Sequence, residues 1–523
     1  MESTQASFLK EADYEGFSPA ESSIVSWTMA IMYITYQKNT LSMRKLGIIM
    51  ILGVMAACAP ESKEAVLTAD WTGTAKLEKK LSNPLIDFNF TADPTSVEHE
   101  GRLYVYATND QQQCDEKGPD SDNTYERIKS LAMMSTEDMV NWTWHGIINV
   151  EELAPWIYNS WAPSVTSQVE KDGKTHFYLY FSNSGNGCGV LTATSPVGPW
   201  TSPLEKSLVD RQTPGAEDCP HPFDPGVVID DEGTGWLAFG GGGVGKIVRL
   251  GKDMISLASR AAHIPTSYLF EASELNYIND TYVYTYNIDW QDHSDWDKDV
   301  PAPTRCCMSY MTSKTPLVTE SWVYRDNYFK NPGENGFDYS NNHTHLHKYK
   351  GKWYILYHSM SLRHNLGVKG GYRNVSVEEI PIDESTLTIG MVPATYEGVQ
   401  QIETLNPLTL QQMETTAGTK DVKFLAYGDT GNMVACSDAV GSILVRGVGF
   451  ERKAHTLTVN AMGKGRIEVR ENDPEGMLIA AMDLNSSQMS EMKVRLADSP
   501  SSTTDLCFLF KGDDLKIDSW RFR

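Results

Sequence analysis

The sequence predicts an all-β protein, a five-bladed β-propeller followed by a β-sandwich of jelly-roll type. Three observations carry that reading. Five units between about residues 83 and 401 repeat a turn followed by an aromatic strand. Within them, serine-rich turns leading to a tryptophan recur at 134–146, 191–203 and 311–324, the sense of an outer hairpin in a four-stranded blade. Past Asn406-Pro407 the aromatic pattern stops and short alternating strands take over.

The first element is the repeat itself. Its turns are Glu100-Gly101 before LYVYATND, Asp172-Gly173 before HFYLYFSNS, Glu232-Gly233 before WLAFGGG, Asn279-Asp280 before YVYTYN and Lys350-Gly351 before WYILYHSM. Turn residues flanked by period-two apolar runs read as hairpins. Hairpins repeated every 45 to 75 residues read as a radial β architecture, in which equivalent positions of all units meet at one axis. Counting back across the strand before each turn lands on Asp93, Pro163, Asp224, Glu271 and His343. Three carboxylates at one place are costly for structure alone, because like charges raise each other's pKa. Ordinary Asp-Pro and Asp-Gly turn chemistry is the competing explanation.

The second element is the segment from 410 to 523, where SILVRGV, HTLTVNAM, GRIEVREN, EMKVRLA, DLCFLF and LKIDSWRF alternate with turn signals about every ten residues. That spacing predicts a sandwich. No segment carries a long amphipathic helix pattern. The expected organisation is an extension, leader and linker over 1–82, the propeller over 83–405 and the sandwich over 410–523.

The N-terminal part is read apart from the fold. From Met43 the run MRKLGIIMILGVMAAC has a start methionine, two basic residues, a short apolar stretch and small residues before Cys58. It resembles the signal peptide (43–57) of a bacterial lipoprotein acylated at Cys58. The apolar run is too short for an ordinary spanning helix. Residues 1–42 then read as an upstream extension from a mis-assigned start, the alternative being a cytosolic leader. The expected location is the cell envelope, periplasmic or surface face, with membrane contact through the lipid anchor only.

Charge narrows the partners. A net charge of −23 argues against nucleic acid and anionic membrane surfaces, both polyanions. Neutral partners fit better, and 13 Trp and 24 Tyr supply flat faces for stacking as well as strand packing. Seven cysteines follow Cys58 with no zinc-type spacing, and the sequence assigns no disulfide. No organic cofactor is expected.

Two carboxyl groups on opposite sides of a scissile bond are what glycoside hydrolysis needs, one as acid and one as base or nucleophile. A third carboxylate beside the acid raises its pKa and keeps it protonated near neutral pH. Asp93, Asp224 and Glu271 suit those roles, with Asp93 and Glu271 facing across the axis and Asp224 beside Glu271. A separation of about 6.5 to 9.5 Å between acid and base leaves room for water and gives inversion.

These residues carry a resemblance. ADPTSVEHEGRLYVYATND, WAPSV, FDPGVVIDDEGTGWLAFGGG, LFEASELNYINDTYVYTYN and NNHTHLHKYKGKWYILYHS resemble the successive blade motifs of glycoside hydrolase family 43 over about 83–401. The resemblance implies a five-bladed propeller, inverting chemistry, Asp93 as base, Asp224 as pKa modulator and Glu271 as general acid, with Glu274 the competing acid. Trp161 either offers its face to the sugar or packs in the core. His343 matches the family's axial histidine, similar to one found near a water-coordinated calcium in many members, so a structural calcium reached indirectly through His343 is implied; a satisfied core histidine is the alternative. Arg373 in GGYRNVSV resembles a family arginine near the active site, where its fork binds sugar hydroxyls, or it is a surface residue.

The tail LFKGDDLKIDSWRF, with GSILVRGVGF and GRIEVREN, is similar to carbohydrate-binding module family 6, although QQMET stands where that family has an acidic opening strand. The junction TYEGVQQIETLNP resembles that of arabinoxylan-acting members. Taken together, the resemblance implies an anchored hydrolase of plant cell-wall oligo- or polysaccharide, an α-L-arabinofuranosidase on arabinoxylan. β-Xylosidase, then endo-arabinanase or exo-galactanase, and a non-catalytic glycan-binding protein are the alternatives.

Overall fold

The five repeats form five antiparallel sheets in a computed structural model, which describes residues 66–427, 431–436, 439–500 and 502–523. The leader and Cys58 lie outside the described residues. Blade one comprises Ala92–His99, Arg102–Thr108, Ser130–Thr136 and Trp142–Asn149; blade two Trp161–Val169, Thr175–Ser182, Gly187–Ala193 and Val209–Asp210. Blade three comprises Gly226–Ile229, Gly235–Gly241, Val244–Arg249 and Ala262–Ile264; blade four Leu269–Ile278, Thr281–Ile288, Met308–Ser313 and Val323–Phe329; blade five Thr344–Tyr349, Lys352–Ser359 and Asn374–Glu379.

The turn residues do what their chemistry dictates. Glu100 and Gly101, Asn279 and Asp280, and Lys350 and Gly351 all take positive φ, the two-residue turn whose twist matches that of the flanking strands. Blades two and three use a loop one residue longer, closed by Glu170 N–H to Lys174 O at 2.9 Å and Asp230 N–H to Thr234 O at 3.0 Å, with Gly173 and Gly233 in the left-handed region.

The first strand of each blade is innermost, and these five strands touch one another in a closed ring. The apolar core is divided among the blade interfaces. Leu103 and Val105 of blade one meet Leu356 and Val377 of blade five, Val97 meets Phe177 and Leu179 of blade two, and Tyr284 of blade four meets Trp236 and Ile247 of blade three. Each interface buries aromatic and β-branched faces that a lone blade would leave wet, so the ring is stable only when complete. Blade five lacks a fourth strand of its own, and the segment before blade one serves instead: Leu85 N–H bonds to Val375 O and Thr91 N–H to Arg373 O, both at 2.9 Å. The chain's entry into the propeller thereby fastens its exit.

The C-terminal part is a strand-only body around a core that includes Val445, Val469, Phe508, Ile517 and Trp520. Here SILVRGV stands as its own strand, Gly441–Gly449, while the other short strands expected from the sequence fall within three long ones, Thr456–Glu471, Leu478–Arg495 and Thr503–Phe522. Bulges cause the difference. The register slips between Ala461 and Gly463, and Gly463 takes φ +104, so the strand bends without ending. This part is sewn to the propeller: Thr415–Thr416 pairs with Trp142 and Thr143 at the outer edge of blade one, and Asp87 accepts from both N and Oγ1 of Thr419 at 2.9 and 2.8 Å.

Its aromatics are almost all internal. Phe450, Phe508, Phe510, Trp520 and Phe522 are buried, and half-buried Phe424 packs on Phe88, so the expected sugar-binding module presents no stacking face from these six. Cys114, Cys188, Cys219, Cys306, Cys307 and Cys507 are buried free thiols.

Candidate active site

Backbone irregularity aims the acidic side chains. In an ideal strand alternate residues face opposite sides, but the inner strands of blades one and four carry bulges where their carboxylates stand, between Ala92 and Thr95 and on both sides of Glu271. Asp93 and Asp224 both take φ +50, and Ala272, next to Glu271, takes φ +63. Left-handed backbone is tolerated by Asp and costs about 1–2 kcal/mol at a residue such as alanine. Bulges re-aim side chains at functional sites. Gly226 follows from the same crowding: a Cβ there would stand 2.6 Å from the Glu274 Cα, so only glycine lets the inner strands of blades three and four approach this closely.

Asp93, Asp224, Glu271, Trp161, His343 and Arg373 all line one pocket at the ring axis. Tyr125, Ala162, Phe223 and Asn341 complete the wall. Glu274 is elsewhere. It is buried, accepts from His345 Nδ1 at 2.9 Å and does not line the pocket, so Glu271 is the glutamate the bulge turns toward the ligand.

The three carboxyls have contrasting surroundings. Asp93 Oδ1 receives Arg373 Nη1 at 3.0 Å, its Oδ2 receives Thr108 Oγ1 at 2.7 Å, and His358 Nδ1 stands 3.2 Å from Oδ1. Burial alone would raise this carboxyl, but the Arg373 charge, joined by the His358 contact, overrides it and holds Asp93 far below the ordinary carboxylate range. Glu271 accepts one bond, from Asn341 Nδ2 at 2.8 Å. Burial pushes it up to about 7; the Asn341 bond and Arg373 oppose that rise, while the Asp93 charge adds to it. Asp224 is likewise raised, by burial and then by the Glu271 charge.

Burial thus raises both Asp224 and Glu271, and their hydrogen bonds distinguish them. Asp224 receives Ser182 Oγ at 3.1 Å on one oxygen and Ala272 N–H at 2.7 Å on the other, whereas Glu271 has an oxygen without such a donor. Asp224 is the better anion. Glu271 keeps the proton.

The supporting residues divide. Trp161 lines the pocket, with its Nε1 tied to Tyr125 O at 3.0 Å. Arg373 lines the pocket and is not the surface residue that the sequence left as an alternative. It is buried, with Nε and Nη2 on Asp110 at 2.9 and 2.8 Å and Nη1 shared between Asp93 and Asn341 Oδ1. Its fork bridges two carboxylates and so fixes Asp93 in place.

His343 is buried with Nδ1 3.7 Å from Asp93 Oδ1, and Nε2 has no protein partner. Burial lowers its pKa to about 4 against the pull of Asp93, so the ring is neutral. A calcium held directly by protein does not fit this donor set. Calcium takes six to eight oxygens, and the described residues contain no group of three His, Cys, Asp or Glu placed to hold a metal.

Sequence reasoning passed over Asn341, Asp110, His358 and Tyr125. The first three lie within or at the ends of the repeat motifs NNHTH, LYVYATND and WYILYHS, where position alone was a signal. Tyr125 stands in the long connection between Asp110–Lys117 and Ser130–Thr136, outside any repeat.

Comparison with known proteins agrees with the geometry. The model of glycosyl hydrolases family 43 matches residues 81–385. The chain is 34% identical over 485 residues to an arabinoxylan arabinofuranohydrolase of Bacillus subtilis (strain 168), covering 84% of this chain and 92% of that one. It is 30% identical over 484 residues to an arabinoxylan arabinofuranohydrolase of Paenibacillus polymyxa, covering 84% and 74%. The crystal structure of a family 43 arabinoxylan arabinofuranohydrolase from Bacillus subtilis in complex with cellotetraose superposes with a TM-score of 0.78 at 32% identity, over 84% of this chain and 97% of that chain. With its family-specific region matched and relatives similar along most of its length, the chain belongs to glycosyl hydrolase family 43.

Proposed function

We propose that the protein is an inverting α-L-arabinofuranosidase that removes arabinofuranosyl branches from arabinoxylan. One observation carries the reading: a single pocket holds one carboxyl locked as the anion, Asp93, and another kept protonated near pH 7, Glu271. General acid and base catalysis needs that opposite pair. Glu271 gives its proton to the departing glycosidic oxygen while Asp93 takes one from the attacking water, and water enters on the face opposite the leaving group. Asp224, charged beside Glu271, keeps the acid protonated until the bond breaks. Trp161 supplies a flat face for the furanose ring. Arg373 holds Asp93 ionised, and neutral His343 leaves that charge uncompensated on the pocket side.

The relatives' named substrate supports arabinoxylan as the polymer, and their similarity runs into the C-terminal region as well. That region is proposed as an accessory module, with sugar binding by it a separate question. The run before Cys58 supports an exported protein anchored through that cysteine.

Incubation with arabinoxylan, 4-nitrophenyl α-L-arabinofuranoside and 4-nitrophenyl β-D-xyloside tests the reading. Arabinose should appear from the first two, and NMR should show the inverted anomer first. Binding to arabinoxylan without release of sugar would leave a glycan-binding protein, and xylose release alone would make it a xylosidase.

A further inference from the structure

A second concavity is linked to the pocket through the strip 339–341. It lies between the long blade-four connection, residues 289–307, and the segment 334–339, and its lining includes Asp292, His293, Pro303, Arg305 and Tyr339. Continuity with the active site is covalent: Tyr339 precedes Ser340 and Asn341, and Asn341 holds Glu271. The Cys306 thiol packs on the Ser340 carbonyl, and Asn342 Nδ2 bonds to Cys306 O at 3.2 Å, so both walls of the groove close onto the strip that carries Asn341.

Tyr339 has an unusual setting. Its side chain belongs to a residue 53% exposed, yet the ring lies flat on Gly333, where an added Cβ would come within 2.5 Å of the ring carbons. Gly333 has no positive φ to explain it, so the space above its Cα is what the ring uses. One face of the tyrosine is seated on backbone and the other is open. The strip is also braced: Asp338 pairs with Arg363 and His364, each at 2.8 Å, and Asn331 Nδ2 bonds to Ser340 O at 2.8 Å. An aromatic ring fixed on one face, free on the other and held in a rigid strip is preorganised for stacking a flat apolar partner. Charge agrees with a neutral partner, because Arg305 in the groove is already paired with Asp292 at 2.7 and 3.0 Å.

We propose that Tyr339 is the stacking platform for a xylose unit of the main chain, next to the branch point, and so sets the preference for polymer over small glycosides. This rests on the arabinofuranosidase reading. The pocket takes the branch sugar, and the main chain must then leave along the surface beside Glu271, where the proton is delivered to the bond joining the two.

Steady-state kinetics of Tyr339→Ala, Tyr339→Phe and Gly333→Ala on arabinoxylan and on 4-nitrophenyl α-L-arabinofuranoside tests it. Tyr339→Ala should lower kcat/KM on arabinoxylan about five- to tenfold, mainly through KM, while the aryl glycoside stays within about twofold. Tyr339→Phe keeps the ring face and should behave as the unmodified protein. Gly333→Ala lifts the ring and should reproduce the polymer defect. Unchanged arabinoxylan kinetics in Tyr339→Ala, or an equal loss on both substrates, overturns the proposal. Failure of the unmodified protein on both substrates would instead reject the arabinofuranosidase reading itself.

Discussion

Asn341 donates from Nδ2 to Glu271 Oε1 at 2.8 Å while its own Oδ1 accepts from Arg373 Nη1 at 3.2 Å. Since Arg373 Nη1 also reaches Asp93 Oδ1, three hydrogen bonds join the proposed base to the proposed acid. The amide thus works at once as a spacer and as a brake on the acid's pKa, since its bond favours the ionised form.

Replacing Asn341 by Leu should therefore shift the pH profile. Loss of the donor raises the Glu271 pKa above about 7, so the acid stays protonated to higher pH and the basic limb of kcat/KM moves up. The acid is also less well held, and the maximum should fall about tenfold, the worth of one lost hydrogen bond to a reacting group. A pH series on the aryl arabinofuranoside checks both, and an unmoved basic limb would mean that the bond does not act on the acid.

The opposite limb belongs to Arg373. Lysine keeps the charge but cannot serve Asp110 and Asp93 together through a planar fork. With its main counter-charge weakened, burial raises the Asp93 pKa, the base protonates earlier as pH falls, and the acidic limb of Arg373→Lys should move up. The same profile with the acidic limb in place would place the control of Asp93 elsewhere, in His358 or Thr108.

Much of this site was legible because a propeller turns sequence register into spatial convergence. Asp93, Asp224 and Glu271 share a place in the repeat, and that place is the ring axis. What the repeat hides is the direction of each side chain. The register picks Glu271 over Glu274, but nothing in FEASEL says that a bulge does the turning or that His345 takes Glu274, and nothing in GGYRNVSV says that Arg373 is held by Asp110. Both depend on long-range packing, as does the merging of the tail strands, where Gly463 lets the chain bend at a point that reads as a turn.

The junction between the propeller and the C-terminal part should unfold with the propeller. Asp87 lies in the segment that completes blade five and accepts two bonds from Thr419 across the junction. Asp87→Ala strands the buried Thr419 amide and should cost about 1–3 kcal/mol. Because the segment closes the ring, urea unfolding should remain one transition with a lower midpoint. Separate propeller and sandwich transitions would show that the contact is incidental.

Glu271→Gln should abolish turnover of natural glycosides, by about 10²–10⁴-fold, and stabilise the fold at neutral pH. The sign follows from linkage. The Glu271 carboxyl is raised from 4.5 to about 7 in the folded protein, so as pH rises between those values the unfolded chain releases a proton that the folded chain keeps. Stability falls across that window, because the folded state binds the extra proton. Glutamine does not titrate, and its Oε1 can still accept from Asn341. The melting temperature of the variant should thus match that of the unmodified protein at about pH 4, rise above it progressively through about pH 5 to 7, and keep the gap beyond. Scanning calorimetry at four pH values measures this directly. A gap that stays constant from pH 4 to 8 would show that the carboxyl ionises as freely in the folded protein as in water, and that no proton is held for the leaving group.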